Sequence, residues 1–486
     1  MARTGWMTCV IRRQTWNLVA AGSVALMTAS ALPTSAAATT ARPIGQLAES
    51  AGKQLTIESV SGDGRHVLLE QRSSSPGDPG ETLWALDATT GASRQLAALP
   101  LSGRYSQSPA GDWAAWVTKP SARSCPRPVH VARTDGSEPP RRLVLPGAYA
   151  RYAVNGVTVG AGGRVTVRVG PCRNGFEPSE SRAILTADPG SASFRVLASS
   201  RSGYSDWPVS QDGRVFAVCA PVVRRKSGWT SQITVVDSRD GLSVSRARLS
   251  TNLEEGPYCV ASNAGTATMM VIRARKAAHR FTNVGVTVGG RGTPRFSLPG
   301  GTRDHGIGLE AVSPDGTQVV TRFDVPEATV IDTASGRYSR SFRPPDFGGT
   351  WTHTALQGMP ALPWSPFAPA VVVPARGSVG MFDPRTQKTT RVGRVVPRFG
   401  GLRTTCFLPS GRVLLAAVPD RRLARQELFV TDARRARALP IDSSAIGTVT
   451  SISCDAAAAG KVFAASADTG RVYELAANDI DGSPLQ

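Results

Sequence analysis

The chain has 486 residues, 41% of them hydrophobic, with 56 Lys and Arg against 36 Asp and Glu for a net charge of +20. So strong a positive charge would hold an exported protein near anionic surroundings such as wall polymers or lipid headgroups. The basic residues, nearly all arginine, are spread along the sequence instead of clustered, which argues against nucleic acid as a partner.

At the start, Arg3, Arg12 and Arg13 precede an apolar stretch from Leu18 to Leu32, and small residues from Ser35 to Ala38 offer a cleavage site. Residues 1–38 read as a signal peptide and 39–486 as the exported domain, secreted or associated with the cell wall. Gly22, Ser23, Thr28 and Ser30 interrupt the apolar stretch, which is shorter than the ~20 apolar residues that span a bilayer. No stable membrane insertion is expected after cleavage. Arg12-Arg13 fits twin-arginine export, while Gln14-Thr15-Trp16 fits the Sec route equally.

From Ser61 onward, a turn of the Ser-Pro-Asp-Gly type returns about every 49 residues. Its fullest copy is Ser313-Pro314-Asp315-Gly316. Weaker copies include Ser61-Gly62-Asp63-Gly64, Ser108-Pro109-Ala110-Gly111-Asp112, Ser210-Gln211-Asp212-Gly213 and Leu408-Pro409-Ser410-Gly411. Each lies between two apolar runs, and a third run ending in Asp follows. A period of roughly 40 to 50 residues marks an array of four-stranded sheets.

The first unit places strands at Leu55–Val60, His66–Gln71, Thr82–Asp87 and Ser93–Ala98. Later units repeat the second and third strands at Val215–Ala220 and Gln232–Asp237, at Ala370–Val373 and Val379–Asp383, and at Val413–Val418 and Glu427–Asp432. Nine units fit the register; eight blades is the alternative, because Pro360, Pro363, Pro366 and Pro369 crowd the seventh. The last unit, Thr448 to Leu475, supplies three strands, and Pro43 to Ala48 is expected to add the fourth. The fold expected is all-β, a single monomeric β-propeller of four-stranded blades closed by its N- and C-terminal strands.

Six cysteines remain once Cys9 leaves with the signal, and an even number in an oxidising compartment suggests disulfides. Cys125 and Cys172 both follow the second strand of neighbouring units. Cys219 and Cys259 stand about equally far from their own turns, and Cys406 and Cys454 occupy matching places in the last two first strands. The register therefore pairs Cys125 with Cys172, Cys219 with Cys259, and Cys406 with Cys454.

The loops before successive first strands carry Arg104 and Tyr105, Arg151 and Tyr152, Tyr204, Asp206 and Trp207, Glu254, Glu255 and Tyr258, Arg303, Asp304 and His305, then Trp351 and His353. Closing a ring would bring these aromatic and charged groups to one mouth of its channel, the arrangement a binding site needs. Asp304 and His305, with Glu254 or Glu255, are the acid/base candidates if the chain is an enzyme. His-Glu-x-x-His, Cys-x-x-Cys, Gly-x-Ser-x-Gly and P-loop patterns are absent, so no metal, cofactor or nucleophilic triad is expected. Trp113 and Trp116, within a strand, are expected to pack between blades. Asn478 to Gly482 lacks the late Glu of a calcium loop and reads as a polar tail.

The strand, the Ser-Pro-Asp-Gly turn, a second strand, and then Leu83 to Asp87 or Thr329 to Asp332 resemble the WD40-like repeats of TolB-type β-propellers, over almost the whole exported chain. The resemblance implies a propeller that binds a protein, peptide or small ligand at one mouth. Some such propellers accompany a hydrolase domain, for which the chain to Gln486 leaves no room. The function expected is that of an exported, non-enzymatic propeller binding a protein, peptide or anionic envelope ligand at its channel mouth. The alternatives are a propeller lyase or glycoside hydrolase and a structural wall protein held by charge.

Overall fold

The computed structural model describes residues 41–482 apart from loop stretches, the longest being 119–127, 172–181, 200–214 and 338–370. They belong to Ala36–Gln486, the second of two units into which the chain divides. β1 (Ala41–Gln46) comes first. Sheet one is β2 (Lys53–Val60), β3 (His66–Ser73), β4 (Thr82–Asp87) and β5 (Ser93–Ala97). Sheet two is β6 (Leu101–Gln107), β7 (Trp113–Thr118), β8 (Val129–Arg133) and β9 (Arg141–Leu143). Sheet three is β10 (Tyr152–Val159), β11 (Val165–Pro171), β12 (Ala183–Ala187) and β13 (Arg195–Ser199). Sheet four is β14 (Val215–Arg225), β15 (Gly228–Asp237) and β16 (Ser243–Thr251). Sheet five is β17 (Tyr258–Ala261), β18 (Ala267–Arg275), β19 (Arg280–Val288) and β20 (Arg295–Pro299). Sheet six is β21 (Ile307–Val312), β22 (Gln318–Phe323) and β23 (Ala328–Asp332). Sheet seven is β24 (Val371–Ala375), β25 (Ser378–Asp383) and β26 (Lys388–Arg394). Sheet eight is β27 (Gly401–Phe407), β28 (Val413–Val418), β29 (Glu427–Asp432) and β30 (Arg437–Pro440). Sheet nine is β31 (Val449–Ser453), β32 (Lys461–Ser466) and β33 (Arg471–Ala476), followed by the short helix α1 (Ala477–Gly482).

Within every sheet, consecutive strands pair antiparallel. β1 pairs with β33, from Ala41 opposite Leu475 to Gln46 opposite Arg471, so the first strand of the domain completes the last sheet. An Arg42–Glu474 ion pair at 2.8 Å and a bond from Arg471 Nη2 to Gln46 Oε1 at 3.1 Å flank this closure. The all-β propeller expected from the repeats is the fold that these strands build.

Alternation along the second strands explains how the sheets stack. Val67 and Leu69 of β3 face Phe463 and Val472 of sheet nine, whereas Leu68 between them faces Ala114 and Trp116 of sheet two. Successive side chains of a strand point to opposite faces, so an apolar run buried on both faces fills two inter-sheet cores at once. In β7, Trp113, Ala115 and Val117 point the other way, into the core shared with Val154 and Val167 of sheet three. Trp113 and Trp116 thus pack between blades, as expected of tryptophans within a strand.

The recurring turn owes its residues to hydrogen bonding. The Ser61 hydroxyl accepts the His66 N–H at 2.9 Å, and Asp63 Oδ1 accepts the Arg65 N–H at 2.9 Å. Gly64 sits at φ +68°, where other residues are strained. Ser108 and Ser313 repeat the serine bond, accepting the N–H of Trp113 at 3.1 Å and of Gln318 at 2.9 Å. Asp87, closing β4, accepts the N–H groups of Thr89 at 2.8 Å and Thr90 at 3.1 Å, which caps the next turn. Ser61→Ala should therefore take the acceptor from the part-buried His66 N–H, while the Arg65 N–H keeps Asp63, and cost about 1 kcal/mol. A denaturant midpoint equal to that of the parent would refute this account of the turn.

Three details differ from the sequence reading. β14 runs to Arg225 and β15 starts at Gly228, because the two strands continue past Ala220 as a hairpin in which Arg225 faces Gly228. The closing strand lies at Ala41–Gln46, two residues earlier than expected, set by its register on β33. Asn478 to Gly482 form part of α1 instead of a tail, because Ile480 enters the core between sheets eight and nine.

Candidate functional site at the first strands

The first strands β31, β2, β6 and β10 pack in succession and are stitched by side chains. Ser451 Oγ accepts the Ile57 N–H at 2.7 Å, the Ser59 hydroxyl donates to Gln107 Oε1 at 2.9 Å, and Ser106 Oγ accepts the Val159 N–H at 3.1 Å. Among the described residues, the first strands β2, β10, β21, β27 and β31 each contain a one-residue bulge, at Glu58, Asn155, Glu310, Arg403 and Thr450. Every one of these residues is polar. Bulges re-aim side chains and recur beside functional sites. The Thr450 hydroxyl uses this freedom to reach the carbonyl of Leu55 on the next first strand.

Of the expected mouth residues, Arg104 and Tyr105 stand in β6, Arg151 precedes β10, and Tyr152 begins it. Arg104 donates to the carbonyl of Val154, tying β6 to β10. Arg151 is exposed, and half-buried Tyr152 meets Tyr149 edge to face with ring centroids 5.2 Å apart. Tyr258 opens β17. Tyr204, Asp206, Trp207, Glu254, Glu255, Arg303, Asp304, His305, Trp351 and His353 lie outside the described residues, as do Cys125, Cys172 and residues 1–38. The other two cysteine pairs are disulfides, Cys219–Cys259 with Cα atoms 6.5 Å apart and Cys406–Cys454 at 5.5 Å. Both join neighbouring sheets and suit an oxidising, extracytoplasmic compartment. Among the described residues, no helix is long and apolar enough to cross a membrane.

Tyr105 leads to a constellation that no sequence motif announces. Its hydroxyl donates at 3.0 Å to Glu70 Oε2, the same oxygen that takes Arg72 Nη2 at 2.8 Å. The Glu70 side chain is 1% exposed, and its Oε1 has no hydrogen-bond partner. Glu58, delivered by its bulge, is held beside Tyr105 and Glu70. Burial first, and then the neighbouring Glu70 charge, push its carboxyl up to about 7, against the opposing pull of Tyr105 and Arg72. A protonated Glu58 brings a donor to a site otherwise short of one. The Tyr105 hydroxyl is itself driven up by burial and by the charges of Glu58 and Glu70. The row continues across sheet two, where Trp116 pairs with Tyr105 on one side and stacks on His130 on the other, centroids 5.6 Å apart. Burial and then Arg142 lower the His130 imidazole below its ordinary value.

A concavity of about 370 Å³ lies among the turns of sheets one and two. Its charges answer one another: Arg65 pairs with Asp87 at 3.6 Å, and Arg133 with Asp135 at 3.4 Å and Asp112 at 3.9 Å. Among the described residues, no group of three or more His, Cys, Asp or Glu gathers as a metal-holding cluster.

Sheets of four antiparallel strands, stacked face to face and closed by a terminal strand, define the class as a β-propeller. No family model matches the sequence, and no curated protein matches it. Among solved structures, BamB from Moraxella catarrhalis is similar over 90% of this chain and 100% of its own, at 12% identity and a TM-score of 0.41. The oligogalacturonate lyase from Vibrio parahaemolyticus is similar over 90% of this chain and 97% of its own, at 9% identity and 0.36. TolB from Acinetobacter baumannii is similar over 54% of this chain and 63% of its own, at 15% identity and 0.28. Each likeness is one of fold alone.

Proposed function

We infer that the chain is an exported binding propeller, acting without catalysis, that takes up a protein, peptide or envelope ligand at the mouth where its first strands begin. The observation that carries this reading is the start of β10, where exposed Arg151 stands beside the Tyr149–Tyr152 pair. An aromatic platform with an adjacent guanidinium recognises polar ligands through stacking and charge-assisted hydrogen bonds. The signal read in residues 1–38 and the two disulfides support export. Arg151→Glu reverses one exposed charge at little cost in stability, so binding is separable from folding. A partner that crosslinks to the purified parent, and is recovered again when the partner carries the tag, should be recovered at least tenfold less with Arg151→Glu at an unchanged thermal midpoint. Equal recovery would remove Arg151 from the site and sink this reading.

A second reading, a propeller hydrolase or lyase, rests on Glu58 and Glu70. Two carboxyl groups, one of them raised toward neutrality, are what such enzymes use. Release of reducing ends from a polysaccharide panel, abolished by Glu58→Gln, would replace binding with catalysis.

A further inference from the structure

Arginine looks scattered along the sequence, but the fold gathers it. The outermost strands of eight sheets are β1, β5, β9, β13, β16, β20, β26 and β30. Every one of them carries at least one Arg, and none carries an Asp or Glu. Arg42, Arg142, Arg195, Arg246, Arg248 and Arg295 are exposed. Carboxylates begin one strand further in, with Asp87 in β4, Asp237 in β15, Asp383 in β25, Asp432 in β29 and Glu474 in β33. They answer part of the charge: Arg42 meets Glu474 at 2.8 Å, and Arg195 meets Asp188, in the turn after β12, at 4.0 Å. Arg248 donates to Gln232 at 2.8 Å, while among the described residues no carboxylate pairs with Arg142, Arg246 or Arg295.

We propose that this acid-free outer edge binds a flexible, phosphate-bearing polyanion. Guanidinium groups fork onto phosphate oxygens in pairs of hydrogen bonds, and Arg246 and Arg248, two apart on one strand, lie on the same face about 6.8 Å apart. The charge recurs from sheet to sheet instead of collecting on one face. A flat bilayer would meet few of these strands at once, whereas a flexible polymer can follow them from one to the next. Its attraction is additive over the phosphates engaged and weakens steeply with salt. This surface is separate from the mouth at Tyr152.

Charged edge strands also discourage edge-to-edge aggregation, which is the competing explanation of the same residues. The test compares the mature chain with the triple variant Arg142→Gln, Arg246→Gln, Arg295→Gln by titrating long-chain inorganic polyphosphate at several salt concentrations. The parent should bind with log affinity falling linearly in log salt. The variant should bind more weakly with a slope shallower by about two, since each phosphate left without its arginine takes away about 0.7. Arg151→Glu should leave this binding unchanged, which separates its failure from that of the mouth. Equal binding by the triple variant, with or without new aggregation, would overturn the proposal. So would stronger binding of polygalacturonate than of polyphosphate, or retention on phosphatidylglycerol vesicles with none on the polymer.

Discussion

At pH 8, Glu58→Gln should be about 2 to 3 kcal/mol more stable than the parent, and the two should converge near pH 4. The folded protein holds this carboxyl protonated up to about 7, against an ordinary value of 4.5. Between those values the folded state binds more protons than the unfolded state, so stability falls as pH rises and is fully lost from this source above about 7. Glutamine keeps the uncharged shape and a donor beside Glu70, Tyr105 and Arg72 at every pH, so the variant should lack the slope. Denaturant melts at four pH values between 4.5 and 8 would check it. Parallel stability curves for parent and variant would show that Glu58 titrates normally and that the constellation is misread.

Loss of the Cys406–Cys454 link is expected to cost about 4 kcal/mol. Its closed loop spans 48 residues, and crosslinks stabilise mainly by restricting the unfolded chain, with costs between about 3 and 4.7 kcal/mol for loops of roughly 15 to 100 residues. This link joins sheet eight to sheet nine, the sheet that β1 must complete. Cys406→Ser with Cys454→Ser should therefore lower the midpoint of guanidinium unfolding, and reduction of the parent should reproduce the shift. A double variant as stable as the oxidised parent would mean that inter-sheet packing alone, around Leu414, Ile452 and Leu475, holds this junction.

The turns made the fold legible. Ser61, Ser108 and Ser313 each supply a hydroxyl to the first N–H of the second strand, a local requirement that leaves a local signature. The cysteine pairs Cys219–Cys259 and Cys406–Cys454 followed from the same register. The carboxylate pair did not, because Glu58 and Glu70 meet through a bulge and two adjacent strands, with Tyr105 supplied by the next sheet. One clue stood in the sequence: Glu70 ends an apolar run, Val67 to Leu69, that must be buried on both faces. An acid at that place needs partners. The arginine edge was missed for the opposite reason, since its residues recur once or twice per sheet and line up only when strands are assigned to layers.

The first described strand pairs with the last. β1 precedes every other described strand, yet its partner β33 lies more than 420 residues further along the chain. Ile44 and Leu47 share a core with Phe463 and Val472. Without β33, β1 has no strand to pair with, β32 is left as an open sheet edge, and Ile44 and Leu47 are uncovered. The closure therefore ties the two ends of the domain to each other: without β33, Ile44 and Leu47 have no Val472 to pack on.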